Sequence, residues 1–196
     1  MGREVNLLEN YPRTARNLDE RLQEKTEEDR LIARRFDQDF FDGDRRNGYG
    51  GFTYHPRFWQ PVVPTFREVY GLTGESSLLD VGCAKGFMLK DFAEAIPGLT
   101  VAGIDVSEYA INHAVEGVEN LVQVADARAI PFEDDSFDLV VSVNTLHNFE
   151  RGEVIQALQE VQRVSRRWSF VVLDAFRNEQ ERLRIEAWNL TALTVL

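Results

Sequence analysis

The chain has 196 residues, 43% of them hydrophobic and 11% aromatic, a size that fits one compact domain with a single core. Its formal net charge of -11 disfavours nucleic acid and anionic membrane surfaces as partners. It has no apolar run long enough to span a membrane and no signal-peptide pattern. A single cysteine excludes an internal disulfide, and three scattered histidines do not have the spacing of metal ligands. We therefore expect a soluble, cytoplasmic protein without a bound metal.

Residues 1–70 are expected to form an extension that lies over the main domain. Residues 18–36 combine charged side chains with spaced apolar ones, which predicts an exposed, weakly amphipathic helix. Residues 37–60 contain several glycines and seven aromatic residues, a composition that favours a structured loop over a regular helix. A short helix is predicted to open at Pro61 and to end at Tyr70, because proline is tolerated in a first helical turn.

A basic cluster in this extension departs from the acidic average of the chain. Its members are Arg34, Arg35, Arg45 and Arg46. A solvated surface is the simpler interpretation of such a cluster, and an anion-binding role is the alternative.

Residues 71–196 are expected to form the core, because short apolar runs alternate there with helical stretches. Strands are predicted at residues 77–81, 100–104, 121–125, 139–143 and 169–174. Helices are predicted at residues 87–95, 108–114, 152–164 and 179–193. This alternation indicates a three-layer α/β sandwich with a mostly parallel sheet, whose strands are buried by helices on both faces.

The sequence LLDVGCAKGF at residues 78–87 gives the strongest chemical signal in the chain. It predicts a strand, then a glycine-bearing turn, then the start of a helix. Glycines at positions 82 and 86 let the backbone approach a ligand closely, and a helix N-terminus presents free N–H groups to it. The spacing differs from the G-x-G-x-x-G pattern of dinucleotide-binding proteins.

Two further segments carry an acidic residue just after a predicted strand. VAGIDVS at residues 101–107 places Asp105 where open α/β sheets bind ligands, and a carboxylate there can accept both hydroxyl protons of a ribose. Ser107 more simply caps the next helix. ADARAIPF at residues 125–132, followed by EDDSFDLV, places Asp126 after the third strand.

In order and spacing, these segments resemble the motifs of the class I (Rossmann-like) S-adenosylmethionine-dependent methyltransferases, methyltransferase type 11-like members among them. The first family motif has an acidic residue followed by G-x-G-x-G, and here Ala84 takes the place of the middle glycine. The resemblance runs over roughly residues 77–174. It implies a Rossmann-like sandwich that binds S-adenosyl-L-methionine and releases S-adenosyl-L-homocysteine.

The resemblance also implies which residues contact this cofactor. Asp126 would meet the adenine amino group, and Ala127 would add a backbone N–H. The full implied set is Asp80, Gly82, Cys83, Gly86, Asp105, Val106, Asp126, Ala127 and Asn144.

The segment SVNTLHNF at residues 142–149 ends the fourth strand, and in the family this junction faces the acceptor. Asn144 and His147 are therefore the predicted catalytic residues. An imidazole with a pKa of about 6.5 suits a general base, and a positioning or packing role is the alternative for His147. The predicted substrate contacts are Tyr49, Tyr54, Trp59 and His147, although the aromatic ones could simply pack the extension onto the core.

The implied reaction is in-line attack of a small-molecule acceptor on the S-methyl group, driven mainly by positioning in a dry site. A non-catalytic, cofactor-binding or regulatory protein with the same fold is the alternative. A dehydrogenase is disfavoured by the glycine spacing. The acidic charge favours a small molecule over a protein or nucleic acid as acceptor, and the sequence leaves a homo-oligomer open.

One departure from the family concerns the C-terminal end of the chain. The family usually completes the sheet with two more strands, whereas this chain reaches Leu196 after one helix. The fifth strand would then form an exposed apolar edge, which proteins normally cover. We expect those strands to be missing, and the alternative is that another chain supplies the cover. Trp188, Asn189 and Thr191 are candidates for one wall of the pocket.

Overall fold

The computed structural model describes residues 4–12 and 25–196, and this part of the chain forms a five-stranded sheet with flanking helices. The strands are β1 (Ser77–Val81), β2 (Thr100–Asp105), β3 (Val122–Val124), β4 (Phe137–Val143) and β5 (Ser165–Val172). The helices are α1 (Glu27–Ala33), α2 (Gln38–Phe41), α3 (Val63–Tyr70), α4 (Phe87–Ala95), α5 (Glu108–Asn112), α6 (Arg151–Val164) and α7 (Glu179–Trp188), with a 3₁₀ turn at Leu146–Asn148. The α/β sandwich predicted from the sequence is confirmed.

The strands lie in the order β3-β2-β1-β4-β5, and every neighbouring pair is parallel. β1 is central: its Leu78 pairs with Val101 of β2 on one side and with Leu139 of β4 on the other. The connections after β1 and β4 therefore lead away from each other. Open α/β sheets bind ligands in the crevice that opens at this point, beyond the carboxyl ends of the strands.

The central strand is buried on both faces, as its apolar sequence predicts. Successive side chains of a strand point to opposite faces, so Leu78 joins the cluster that contains Phe66 of α3 and Phe92 of α4. Leu79 joins a second cluster that contains Val161 of α6. Packing on both faces fixes the position of the loop that follows β1.

The start of the fifth strand differs from the prediction. The predicted strand begins at residue 169, but β5 begins at Ser165, directly after α6. Arg166 and Arg167 do not fit the apolar pattern of a buried strand. They can belong to β5 because this strand lies at the edge of the sheet, where both side chains are exposed. Edge strands tolerate charged side chains, which explains why the prediction was wrong.

The edge formed by β5 is only partly the exposed apolar edge that we expected. Trp168 is 50% exposed, but the arginines before it are polar and residues 170–172 are half-buried. No further strand follows β5 in residues 173–196 as described. Instead, the N–H of Leu196 donates to the carbonyl of Asp174 (3.0 Å), and the N–H of Phe176 donates to that of Leu196 (2.8 Å).

Two core helices end before their predicted boundaries at residues 114 and 193. After α5, the N–H of Val115 donates to the carbonyl of Lys85 (2.9 Å), which turns the chain toward the loop after β1. After α7, the side chain of Asn189 donates to Asp174 (2.8 Å), which turns the chain back toward the sheet.

The helix predicted over residues 18–36 is shorter where it is described, and its residues 18–24 lie outside the described part. α1 begins after Thr26, whose hydroxyl accepts from the Asp29 N–H (3.1 Å) while the Asp29 carboxylate accepts from the Thr26 N–H (2.7 Å). α1 ends at Ala33, and Phe36 has a left-handed φ of 52° that no helix can contain.

The loop predicted over residues 37–60 contains one short helix. α2 precedes Gly43, so the prediction that glycines prevent helix was wrong for its first residues. α3 begins at Val63 instead of Pro61, with Pro64 in its first turn.

In the described ranges, no helix combines the length and the apolar character needed to cross a bilayer.

Candidate functional site

A cavity of about 610 Å³ opens beyond the carboxyl ends of the parallel strands. Its lining includes acidic residues from four strand ends, namely Asp80, Asp105, Asp126 and Asp174. The lining residues that the sequence predicted for the site are Tyr49, Trp59, Asp80, Gly82, Cys83, Asp105, Val106, Asp126, Ala127, Asn144 and His147. Trp188, Asn189 and Thr191 also line the cavity.

The loop after β1, residues 82–86, owes its shape to three left-handed residues. Gly82, Ala84 and Gly86 have φ angles of 87°, 49° and 75°. The N–H groups of Gly82 and Cys83 both donate to the carbonyl of Ile104, at 2.8 and 3.0 Å, which fixes the loop to β2. Gly86, also predicted to contact the cofactor, is the N-cap of α4 and is not among the residues that line the cavity.

Asp105 holds the middle of this loop. Its Oδ2 accepts from the N–H of Ala84 (2.8 Å), and its Oδ1 accepts from the N–H of Ser107 (2.9 Å). Burial raises the pKa of Asp105, and these backbone hydrogen bonds oppose the rise. Ser107 caps α5, as predicted, because its hydroxyl accepts from the N–H of Ala110 (3.0 Å).

Asp80 is a buried carboxyl group that makes no hydrogen bond within the described part of the chain, although it lines the cavity. Burial, together with the nearby charge of Asp105, raises the pKa of Asp80 to about 8. A buried carboxyl group without a partner is costly once it ionises. A cationic ligand in the cavity would supply that partner.

The free energy of unfolding of the ligand-free protein should therefore fall with pH. Folded Asp80 keeps its proton up to a pH of about 8, whereas in the unfolded chain it loses the proton near its ordinary pKa of 3.8. The stability that protonated Asp80 contributes is fully present below pH 3.8 and is lost as the pH rises toward about 8. Between about pH 5 and pH 8 we expect a loss on the order of 4 kcal/mol, because the slope is about 1.4 kcal/mol per pH unit until the folded carboxyl group begins to ionise.

Asp80→Asn should remove most of this pH dependence, because asparagine does not titrate. Urea unfolding of both proteins across the range measures the effect. Parallel pH profiles for the two proteins would contradict the assignment.

Asp126 is held by an arginine that the sequence reasoning did not single out. Arg128 donates through Nε to Oδ1 (3.0 Å) and through Nη2 to Oδ2 (2.5 Å) of Asp126, and it also bonds Glu153. The hydrogen bonds from Arg128 lower the pKa of Asp126. The guanidinium lies over the ring of Phe149, 5.0 Å from its centroid. The Asp126 carboxylate is thus ionised and oriented at the cavity wall.

Asn144 and His147 follow β4 on the other side of the cavity. Asn144 has a left-handed φ of 56°, a strained conformation for a residue other than glycine, and its side chain is exposed to the cavity. His147 is only 7% exposed. Strain of this kind often occurs at functional sites, which makes this junction a candidate for chemistry.

The imidazole of His147 lies beside a carboxylate from the end of β5. Its Nδ1 is 3.3 Å from Oδ2 of Asp174, but the alignment is not that of a hydrogen bond, so Nδ1 has no hydrogen-bond partner among the described residues. Burial lowers the pKa of His147, and the charge of Asp174 opposes the shift. The imidazole is therefore neutral at neutral pH and able to accept a proton.

The C-terminal segment closes this side of the cavity. The N–H groups of Leu193 and Thr194 donate to the carbonyl of His147, at 2.9 and 3.0 Å. The hydroxyl of Thr194 donates to the carbonyl of Phe149 (2.7 Å). These bonds hold residues 189–196 against the junction that carries His147.

The aromatic extension is attached to the glycine loop by a buried ion pair. Lys85 is 7% exposed; its Nζ lies 2.6 Å from Oδ2 of Asp42 and donates to the carbonyl of Phe52 (3.0 Å). Asp42 also accepts from the Tyr109 hydroxyl (2.7 Å) and the Phe52 N–H (2.8 Å). Burial raises the pKa of Asp42, but the hydrogen bonds from Lys85, Phe52 and Tyr109 outweigh it and lower the pKa to about 2.

Lys85→Met should separate the extension from the core, because it leaves a partly buried carboxylate without its cation. We expect the free energy of unfolding to fall by about 2 kcal/mol. The matched control is Lys90→Met, which removes a more exposed pair with Glu94 and should cost less than about 1 kcal/mol. Equal effects of the two substitutions in urea unfolding would show that the Asp42 pair does not anchor the extension.

Tyr54 is the one predicted substrate residue that lies outside the cavity lining. Its hydroxyl donates to Oδ1 of Asp91 (2.6 Å). Burial and the Asp91 carboxylate raise the pKa of Tyr54 to about 12. This contact fastens the extension to α4.

Four cavity or anchor residues were missed by sequence reasoning: Asp42, Lys85, Arg128 and Asp174. Lys85 lies within the motif at residues 78–87 and Arg128 within the motif at residues 125–132. A charged residue inside each motif is therefore the sequence feature that could have identified them.

Among the described residues, no group of three or more His, Cys, Asp or Glu side chains could hold a metal ion.

The sheet order and the left-handed loop after β1, with carboxylates at the strand ends, define a Rossmann-like α/β domain. Residues 78–167 match the sequence family described as Methyltransferase domain. Over these residues, a little under half of the chain, the sequence is similar to the class I S-adenosylmethionine-dependent methyltransferases, a family whose cofactor is S-adenosylmethionine.

Two of the individual proteins to which the chain is similar are methyltransferases by name. The chain is 32% identical over 130 residues to a fatty-acid O-methyltransferase of Mycolicibacterium smegmatis, covering 64% of this chain and 42% of that protein. It is 30% identical over 114 residues to a demethylmenaquinone methyltransferase of Roseiflexus castenholzii, covering 56% and 47%. The chain therefore spans less than half the length of these two relatives.

A solved structure from Methanococcus maripaludis, described as an S-adenosylmethionine-dependent methyltransferase, shares the fold. Its TM-score is 0.52 at 21% identity, and the match covers 66% of this chain and 61% of that one. At this level of identity the likeness supports the fold alone.

Proposed function

We propose that the chain transfers the S-methyl group of S-adenosylmethionine to a small-molecule acceptor and releases S-adenosylhomocysteine. The observation that carries the proposal is the cavity of about 610 Å³, whose lining joins strand-end carboxylates to a buried, neutral imidazole. In this proposal residues 71–196 bind the cofactor, and residues 1–70 cover the acceptor.

The cofactor would be bound by the carboxylates of the strand ends. Asp105, held by two backbone N–H groups, is the proposed acceptor for the ribose hydroxyls. Asp126, oriented by Arg128, is the proposed partner of the adenine amino group, with the N–H of Ala127 beside it. The unpartnered Asp80 fits a cationic group of the ligand. The predicted contacts Gly82, Cys83 and Val106 also line this part of the cavity.

When bound, the cofactor would supply a methyl group on a positively charged sulfonium, whose sulfur is a good leaving group because it departs as a neutral thioether. The chain would contribute position and a dry environment. The aromatic rings of the extension, Tyr49 and Trp59 among them, line the cavity and would exclude water from the acceptor. Asn144, in its strained backbone conformation, is proposed to orient the groups that react.

His147 is the proposed general base for an acceptor that must lose a proton. Its lowered pKa keeps the ring neutral, so the ring can take a proton from a hydroxyl or amine as that group attacks. The Asp174 carboxylate, 3.3 Å from Nδ1, would then stabilise the imidazolium.

His147→Gln should lower kcat by about 100-fold, because general-base catalysis contributes at least that much. The affinity for S-adenosylhomocysteine should stay unchanged, since His147 is assigned to the acceptor side. His113→Gln, at the exposed end of α5, is the control for loss of a histidine and should leave kcat as it is. Full turnover by the His147 variant would rule out its role as base.

The relatives support a small molecule as acceptor, because fatty acids and demethylmenaquinone, in the names of two of them, are small molecules. The net charge of -11 supports the same class over nucleic acid.

Turnover tests the proposal. The protein would be incubated with S-adenosylmethionine labelled in its methyl group and with pools of small hydroxy, amino and carboxylic compounds. Transfer of label to one pool is the expected result. Tight binding of S-adenosylhomocysteine without transfer to any pool would favour the non-catalytic alternative.

A further inference from the structure

The extension contributes arginines to the cavity lining, although the chain as a whole is acidic. Arg34, Arg35 and Arg45, all from the extension, line the cavity. Arg45 donates to the carbonyl of Tyr49 (2.6 Å), but none of the three forms an ion pair with a carboxylate in the described residues. A chain with 33 acidic and 22 basic residues has many carboxylates available, so three guanidiniums without one are unexpected.

Arg34 is the most informative of the three. Its Nε is buried and has no hydrogen-bond partner in the described part of the chain. A buried donor without a partner is costly, and such groups normally find one in a ligand or in water. The end of α1 that carries Arg34 is fixed, because Arg30 donates to the carbonyls of Ala187 (3.1 Å) and Asn189 (3.4 Å).

The carboxylates that line the cavity do not pair with these arginines. Asp126 is bound by Arg128, Asp105 accepts from two backbone N–H groups, and Asp174 lies beside His147. The proposed cofactor would offer the three guanidiniums one carboxylate. A further anionic ligand group would give them the partner that the described residues do not supply.

We propose that the acceptor carries an anionic group, a carboxylate or a phosphate, and that Arg34 and Arg35 bind it in the cavity. This inference rests on the proposed function and deepens it. Guanidinium groups suit the role because their planar donors bind carboxylate and phosphate oxygens in pairs. Arg45, which also lines the cavity, adds positive charge that attracts the same anion.

Matched probes with and without a charge test this inference. Binding of octanoate, octyl phosphate and octanol, and of phenylpropanoate and phenylpropanol, would be measured by calorimetry on protein saturated with S-adenosylhomocysteine. In at least one series, the anion should bind about tenfold tighter than the alcohol, as expected for a charge-assisted hydrogen bond.

Three single variants locate the effect. Arg34→Met and Arg35→Met should each remove most of the preference for the anion. Arg46→Met is the control from the same extension: Arg46 lies outside the cavity lining and pairs with Asp44 (3.3 Å), so this variant should keep the preference. Because Arg35 is exposed, its variant should fold even if the Arg34 variant does not.

A second titration separates the two sources of a carboxylate. S-adenosylhomocysteine contains the methionine carboxylate of the cofactor, and methylthioadenosine lacks it. If Arg34→Met and Arg35→Met weaken only S-adenosylhomocysteine, the arginines serve the cofactor and the inference is overturned. It is also overturned if no anion outbinds its alcohol, or if the preference survives both variants. Failure of the wild-type protein to bind S-adenosylhomocysteine overturns the proposed function, and this inference with it.

Discussion

Gly82→Ala should lower the free energy of unfolding by about 4 kcal/mol. This figure adds the cost of holding alanine in a left-handed conformation to the cost of overpacking a densely packed site. Gly82 has a φ of 87°, which alanine adopts only with strain. A Cβ atom at this position would lie 2.0 Å from Oγ1 and 2.6 Å from Cβ of Thr145. The loop cannot move away easily, because the Gly82 N–H donates to the carbonyl of Ile104.

A second substitution separates the two causes. Thr145→Gly removes the atoms that collide, so the Gly82→Ala/Thr145→Gly protein should lose about 2 kcal/mol less than the effects of the two single variants added together. Ala84→Gly is a control for backbone strain alone, since Ala84 has a φ of 49°, and it should stabilise by about 1 kcal/mol. Urea unfolding measures all four proteins. A Gly82→Ala protein as stable as the wild type would show that the loop adopts another conformation.

Asp105→Asn should weaken the binding of S-adenosylmethionine at least 100-fold, which corresponds to about two lost charge-assisted hydrogen bonds. The substitution keeps the shape of the side chain but removes the charge and one acceptor oxygen. It should not unfold the protein, because burial already raises the pKa of Asp105 and disfavours its charged form. Glu108→Gln, on an exposed position one turn along, should leave the affinity unchanged.

The ligand itself provides a further control for Asp105. The wild-type protein should bind adenosine more tightly than dideoxyadenosine, which lacks the ribose hydroxyls. Asp105→Asn should bind both equally weakly. If the variant keeps the wild-type preference, another residue binds the ribose.

The parts of the site that the sequence predicted depend on local geometry. A strand followed by glycines at positions 82 and 86 can form few conformations other than a left-handed turn into a helix, and that turn is present. Asp105 and Ser107 follow from the same reasoning, since one ends a strand and the other begins a helix. The five strands were predictable because apolar runs of this length must be buried.

The parts that the sequence did not predict depend on long-range contacts. Asp42 and Lys85 pair across 43 positions, and nothing near either residue indicates the other. Asp174 reaches His147 only because β5 lies next to β4 in the sheet. The start of β5 was not predicted, because its arginines interrupt the apolar pattern. An edge strand tolerates charged side chains that a buried central strand excludes.

The extension was the hardest segment to predict, because aromatic side chains without a fixed period give no register. Its rings pack on one another: Phe52, for example, lies 4.3 Å from the ring centroid of Tyr49 and 4.8 Å from that of Phe87. Such a cluster is determined by packing in three dimensions and not by sequence spacing.

The central claim is that the cavity binds S-adenosylmethionine, and calorimetric titration tests it most directly because it needs no acceptor. The wild-type chain, shown to be folded by circular dichroism, would be titrated with S-adenosylmethionine, S-adenosylhomocysteine and a nicotinamide dinucleotide. Saturable binding of the first two with micromolar affinity, and none of the third, is the predicted result. No binding of either S-adenosyl compound by the folded protein would contradict the claim.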